Sequence, residues 1–87
     1  MAKVEMYYKP TCPFCHRAKA LLDSKNVVLE DYIDISAQPL RRAEMIERAN
    51  GRTTVPQIFI NGQSVGGCDD LFALNSSGLL DELLAQD

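Results

Sequence analysis

The sequence has no apolar run approaching the roughly 20 residues of a membrane-spanning helix. Its opening stretch, MAKVEMYYK, has charges at Lys3, Glu5 and Lys9 and no apolar segment behind them. No signal peptide is therefore expected, and a reducing, cytoplasmic setting is the default. Cysteine is scarce and odd in number: three residues are too few for a disulfide framework. Histidine occurs once. Structural zinc wants four Cys/His ligands, usually as two separated pairs, and the chain offers only Cys12, Cys15, His16 and Cys68, with His16 adjacent to Cys15. No metal site is expected. Nor does one sign of charge dominate: a net −3 is too mild to imply a nucleic-acid partner. No repeat, linker or low-complexity tract divides the chain, and 87 residues suffice for one compact domain, 1–87, but not two.

What is present is enough to build that domain. Hydrophobic residues make up 46% of the chain and charged residues 24%, which suits a packed core under a soluble surface. The charges are unevenly placed. Residues 1–25 hold five Lys/Arg and two acids, net +3, and the remainder holds four and ten, net −6. Cys12 and Cys15 fall in the positive part. Arg17, Lys19 and Lys25 are more simply read as the solvated face of a helix.

VEMYY (Val4–Tyr8) reads as a strand. Thr11-Cys12-Pro13 then places a proline suited to a first helical turn, and Phe14, Ala18, Leu21, Leu22 and Lys25 follow helical spacing. VVLEDYIDI (Val27–Ile35) reads as a second strand. Pro39 opens a helix expected to present Leu40, Ala43, Ile46 and Ala49 on one face, stopped by Asn50-Gly51. QIFI (Gln57–Ile60), Asn61-Gly62 and QSV (Gln63–Val65) form a strong hairpin signal, ended by Gly66-Gly67. Asp69-Asp70 can start a short helix through Leu74, and Ser76-Ser77 can cap a last one carrying Leu79, Leu80, Leu83 and Leu84. The order β-α-β-α-β-β-α(-α) implies a mixed four-stranded sheet flanked by helices, an α/β fold.

The Cys12-Pro13-Phe14-Cys15 stretch carries the chemistry. At the end of a strand and the start of a helix, Cys12 meets unpaired backbone N–H groups and the positive end of the helix dipole. An anion is stabilised there, so Cys12 is the expected nucleophile, and Lys9 adds charge from the strand end. Cys15 lies one turn deeper on the same face, within reach of a disulfide but less exposed, and is the expected resolving thiol. Pro13 fixes the first turn. Tyr7, Tyr8 and Tyr32 read as packing residues, and His16 as solvent-facing rather than a base.

Together, TCPFC, TVPQIFING and GGCDD, in this order and spacing, resemble the glutaredoxins, specifically the small bacterial dithiol type. The resemblance spans nearly the whole chain. The common motif is Cys-Pro-Tyr-Cys, and Phe14 replaces the tyrosine, losing a hydroxyl but keeping the aromatic face. The resemblance implies a thioredoxin fold and a cis Val55–Pro56 peptide beside Cys12. It implies glutathione as reductant and co-substrate, with no tightly bound cofactor. Gly67, Cys68 and Asp69 would meet its γ-glutamyl end; Thr54, Val55 and Pro56 its cysteinyl backbone; Lys9 and one of Arg41, Arg42 or Arg52 its glycyl carboxylate. Asp70 carries less of this expectation, and Cys68 is expected to be semi-buried without a redox role.

The expected function is therefore glutathione-dependent reduction of protein disulfides and protein–glutathione mixed disulfides, with ribonucleotide reductase among the clients the family implies. Reduction by thioredoxin reductase is a second reading, opposed by the intact glutathione-site residues. Carriage of an iron–sulfur cluster is a third, opposed by Pro13 and Cys15. A small acidic domain with no evident apolar surface stripe is expected to be a monomer, without nucleic-acid or membrane partners.

Overall fold

A computed structural model describes residues 2–87. Its eight elements are β1 (Val4–Tyr8), α1 (Pro13–Ser24), β2 (Asp31–Asp34), α2 (Arg41–Arg48), β3 (Gln57–Ile60), β4 (Gln63–Gly66), α3 (Cys68–Ser76) and α4 (Leu79–Ala85). The strands form one sheet in the order β2-β1-β3-β4. β1 runs parallel to β2 and antiparallel to β3, and β3 pairs antiparallel with β4. This is the mixed four-stranded sheet that the element order implied, and the thioredoxin fold that the resemblance implied. No helix among the described residues is long and apolar enough to cross a membrane.

Strand alternation sorts the core into two layers. Val4 and Met6 of β1 and Ile58 and Ile60 of β3 pack with Cys15, Ala18 and Leu22 of α1, Leu71 of α3 and Leu80 and Leu84 of α4. Their neighbours Tyr7 and Phe59 point the other way, onto Ile33, Ile35, and Met45 and Ala49 of the α2 segment. The second layer also holds charge. Arg48 donates to both Glu5 carboxylate oxygens (3.2 and 2.9 Å) and to the Tyr7 hydroxyl (2.9 Å), and lies 4.1 Å from the Phe59 ring centroid. The Tyr7 hydroxyl in turn donates to Glu44, which Arg41 contacts at 3.0 Å.

Several sequence expectations shift. The second strand begins at Asp31, not Val27. The register sets Glu5 opposite Asp31, so β1, which starts at Val4, has no partner for anything before Glu30. Residues 27–30 instead follow a turn at Asn26 (φ 60°), with Val27 buried and Val28 exposed. The buried positions are Met45 in α2 and Ala49 at its C-cap; Leu40 precedes the helix and is 91% exposed. Steps of three drift by 60° each along an α-helix, so Leu40 and Ala49 would end on opposite sides, whereas Met45 and Ala49 are one turn apart. Gly66 still belongs to β4, and α3 starts at Cys68 with Gly67 as its N-cap. Ser76 and Ser77 end α3 and do not cap α4, whose N-cap is Gly78 at φ 82°, a left-handed turn suited to glycine. The hairpin holds as expected, with Asn61 (φ 52°) and Gly62 (φ 82°) making the tight turn.

Candidate active site

α1 begins where β1 ends because Pro13, at the first helical position, is pre-set for the helix and lacks the N–H that would go unpaired. Cys12 is the N-cap, with extended backbone (φ −95°, ψ 110°), and its Sγ accepts the Cys15 N–H at 3.2 Å. A sulfur in this position does what an N-cap oxygen does, and it does so better when it carries charge. The Cys12 N–H is tied to the Lys9 carbonyl (3.2 Å), which curls the loop onto the helix. His16 faces solvent, with Nε2 2.6 Å from the Pro10 carbonyl, and braces the same loop.

The two thiols differ in environment. Cys12 is partly exposed and its Sγ points at the Val55 carbonyl, 3.8 Å away. Cys15 is buried (1% exposed). Burial pushes its thiol up to about 12, helped by the hydrogen bond with Cys12 and opposed by a backbone hydrogen bond from Lys9. Cys68 is also buried, and its thiol is raised by that burial against the field of Arg17.

Beside this pair lies a cleft of about 250 Å³. Thr54, Val55 and Pro56 line one wall, Gly67, Cys68 and Asp69 the other, and Phe14, half exposed, the mouth. The Val55–Pro56 peptide is cis. Behind it, the buried Gln57 amide donates to the Thr54 carbonyl (2.9 Å) and fixes the loop from below. The fold thus brings together eight positions singled out from sequence: Cys12, Phe14, Thr54, Val55, Pro56, Gly67, Cys68 and Asp69. Lys9 is exposed and is not part of the cleft lining.

The three candidate arginines part company. Arg41 is held by Asp31 (3.3 Å) and Glu44 (3.0 Å). Arg52 lines the cleft and pairs with Asp70 (2.9 Å). Arg42 reaches the Thr53 carbonyl at 3.5 Å. Sequence reasoning missed the Arg52–Asp70 contact; a carboxylate three residues after a helix N-cap was its one visible signal. It also missed that Arg17 lies over both Phe14 and Phe72, 5.9 and 5.4 Å from their centroids, where aromatic faces hold a guanidinium. A larger cleft of about 500 Å³ runs between β4 and the last two helices, but no cysteine lines it.

This geometry has close relatives. The Glutaredoxin family model matches residues 4–65. Glutaredoxin 3 of Escherichia coli strain K12 is 60% identical over 97% of this chain and 99% of its own length. A glutaredoxin from Brucella melitensis, solved in solution, superposes with a TM-score of 0.82 at 56% identity, over 97% of this chain and 89% of that one. A buckwheat glutaredoxin–glutathione complex gives a TM-score of 0.84 at 28% identity, over 95% and 76%. A partly exposed N-cap thiol, a buried second thiol and a cleft beside them thus occur in a chain that matches these proteins over 95–97% of its length. The chain belongs to the glutaredoxin family and is a glutathione-dependent thiol–disulfide oxidoreductase.

Proposed function

We propose that Cys12 and Cys15 are the dithiol of this activity, with the cleft beside them holding glutathione. The observation that carries this is the asymmetry of the pair: Cys12 Sγ is partly exposed at a helix N-terminus, and Cys15 is buried, which pushes its thiol up. The Cys12 thiolate attacks the glutathionyl sulfur of a mixed disulfide, and the client sulfur leaves as a thiolate. The Cys12–glutathione disulfide then has two exits. Free glutathione attacks it, giving glutathione disulfide and Cys12 thiolate. Alternatively Cys15 gives up its proton and attacks Cys12, releasing glutathione thiolate and forming a Cys12–Cys15 disulfide that two glutathiones later reduce.

In this reading Pro13 and Phe14 shape the Cys12 turn. Thr54, Val55 and Pro56 hold the cysteinyl backbone, as an added strand would. Gly67, Cys68 and Asp69 meet the γ-glutamyl end, where α3 offers N–H groups to a carboxylate. Lys9 serves the glycyl carboxylate together with Arg42, since Arg41 is taken up by Asp31 and Glu44 and Arg52 stands at the α3 end of the cleft beside Asp70. The clients are glutathionylated and disulfide-bonded proteins, ribonucleotide reductase among them, met by one domain (1–87) acting as a cytoplasmic monomer without a tightly bound cofactor.

The test is reduction of a small glutathione mixed disulfide, with NADPH consumption coupled through glutathione and glutathione reductase. Cys12→Ser is expected to abolish turnover, and Cys15→Ser to retain the route through free glutathione. Turnover that survives without Cys12 would overturn the assignment.

A further inference from the structure

The two walls of the cleft are joined at one point that the reading above leaves unused. Arg52 stands on the loop leading into Thr54–Pro56, and Asp70 in the first turn of α3. One carboxylate oxygen, Asp70 Oδ2, accepts both Arg52 Nη1 and the Gly67 N–H, each at 2.9 Å. The pair lies directly across Gly66 and passes beside Gly67. A Cβ on Gly66 would overlap the Asp70 carboxylate and stand 2.6 Å from Arg52 Nη1. One on Gly67 would meet the Pro56 carbonyl at 3.3 Å and Arg52 Nη2 at 3.7 Å. Gly66 and the ion pair are therefore fitted to each other, and the pair ties the loop before Thr54–Pro56 to the start of α3.

Stability is a weak reason for such a contact. Both side chains are about half exposed, and exposed ion pairs contribute little. Its effect on the cleft is more specific. By taking the Gly67 N–H, Asp70 removes the first amide of the α3 terminus from any ligand and leaves those of Cys68 and Asp69. With Nη1 held, Arg52 keeps Nη2 over Gly67, at the edge of the same space. Asp69, exposed in that wall, remains for a cation.

We propose that the Arg52–Asp70 pair is a positioning device that selects the γ-glutamyl end of the substrate. It fixes the spacing of the two walls, and it reserves two amides and Arg52 Nη2 for an α-carboxylate, with Asp69 opposite for the α-ammonium. The inference rests on the reading that this cleft holds glutathione.

The experiment compares two mixed disulfides of 2-mercaptoethanol, one with glutathione and one with cysteinylglycine, which lacks the γ-glutamyl group. Single-turnover reactions of the reduced protein are followed by mass as the glutathionyl or cysteinylglycyl adduct forms. The full chain is used in a Cys15→Ser background, which prevents resolution of the adduct, with the parent (called wild type below) compared with Arg52→Gln, Asp70→Asn and the double variant; asparagine keeps an acceptor for the Gly67 N–H. Wild type is expected to favour the glutathionyl substrate. Each single variant is expected to lower that preference about tenfold, the effect of losing one charge-assisted hydrogen bond. The loss should appear in half-saturation and not in the maximal rate, with the cysteinylglycine reaction unchanged. The double variant should lose no more than the worse single one, because the two side chains act together. Preference retained in the variants, equal slowing of both substrates, or additive losses would each overturn the role of the pair while leaving the glutathione reading intact. A wild type with no preference would overturn both.

Discussion

Burial separates Cys15 chemically from Cys12, although only two residues lie between them. A thiol pushed up to about 12 stays protonated through the physiological range and well above it. We therefore expect iodoacetamide at neutral pH to alkylate reduced protein at Cys12, read by peptide mass. In Cys12→Ser, labelling of Cys15 should remain slow up to about pH 10, because only the thiolate reacts. Rapid neutral-pH labelling of Cys15 in that variant would contradict the assignment. At the same scale, two glycines make a controlled comparison. Gly62 and Gly66 both have positive φ (82° and 106°), but a Cβ on Gly62 meets nothing, whereas one on Gly66 strikes the Arg52–Asp70 pair. Gly62→Ala should cost about 1–2 kcal/mol, the left-handed penalty alone. Gly66→Ala should cost more, and unfolding in urea measures both.

The α2 helix has eight residues, too few to be stable in isolation. It is held by Met45 and Ala49 and by the clamp of Arg48 on Glu5, Tyr7 and Phe59. Removing Arg48 leaves the Glu5 carboxylate, on a side chain only 11% exposed, without its ion-pair partner. Arg48→Met should therefore cost about 3 kcal/mol, the lower end for breaking a buried pair, and Glu5→Gln in the same chain should recover part of it. Denaturant midpoints of the two variants provide the check. None of this was legible beforehand, since Glu5 in VEMYY looks like a surface residue of an alternating strand. The elements themselves were legible where local chemistry decides them: Pro13 opens α1, and Asn61-Gly62 forces the hairpin. Boundaries set by a distant partner were not. β2 is short because β1 begins at Val4, and α2 faces inward at Met45 because of what lies beneath it. In the cleft the residue types could be read along the chain, but the bond from Arg52 to Asp70 joins two segments that only the sheet brings together.

For the whole molecule, carboxylates set the response to acid. A hydrogen bond from Tyr7, then the ion pair with Arg41, hold Glu44 below the ordinary range against the opposing effect of burial. Asp70 is lowered by the Gly67 N–H and then by Arg52. A carboxylate whose pKa is lower folded than unfolded stabilises the fold fully above its unfolded value. That contribution is lost as pH falls through the folded value. Stability should thus be nearly flat from pH 6 to 8 and decline below about pH 4, near the unfolded carboxylate values. Glu44→Gln should be less stable at neutral pH and flatter in acid; urea unfolding across pH tests this, and an unchanged slope would exclude Glu44 as a contributor.

The two sides of the sheet are fastened by different forces, and temperature acts on them unequally. The side carrying Cys15 and α1 is joined by aliphatic contacts, which weaken on cooling. The α2 side relies in part on the Arg48–Glu5 pair, whose desolvation penalty falls on warming. The layer beneath the thiols is thus the one that chilling loosens first, while the layer on the far side keeps its grip as the protein is heated.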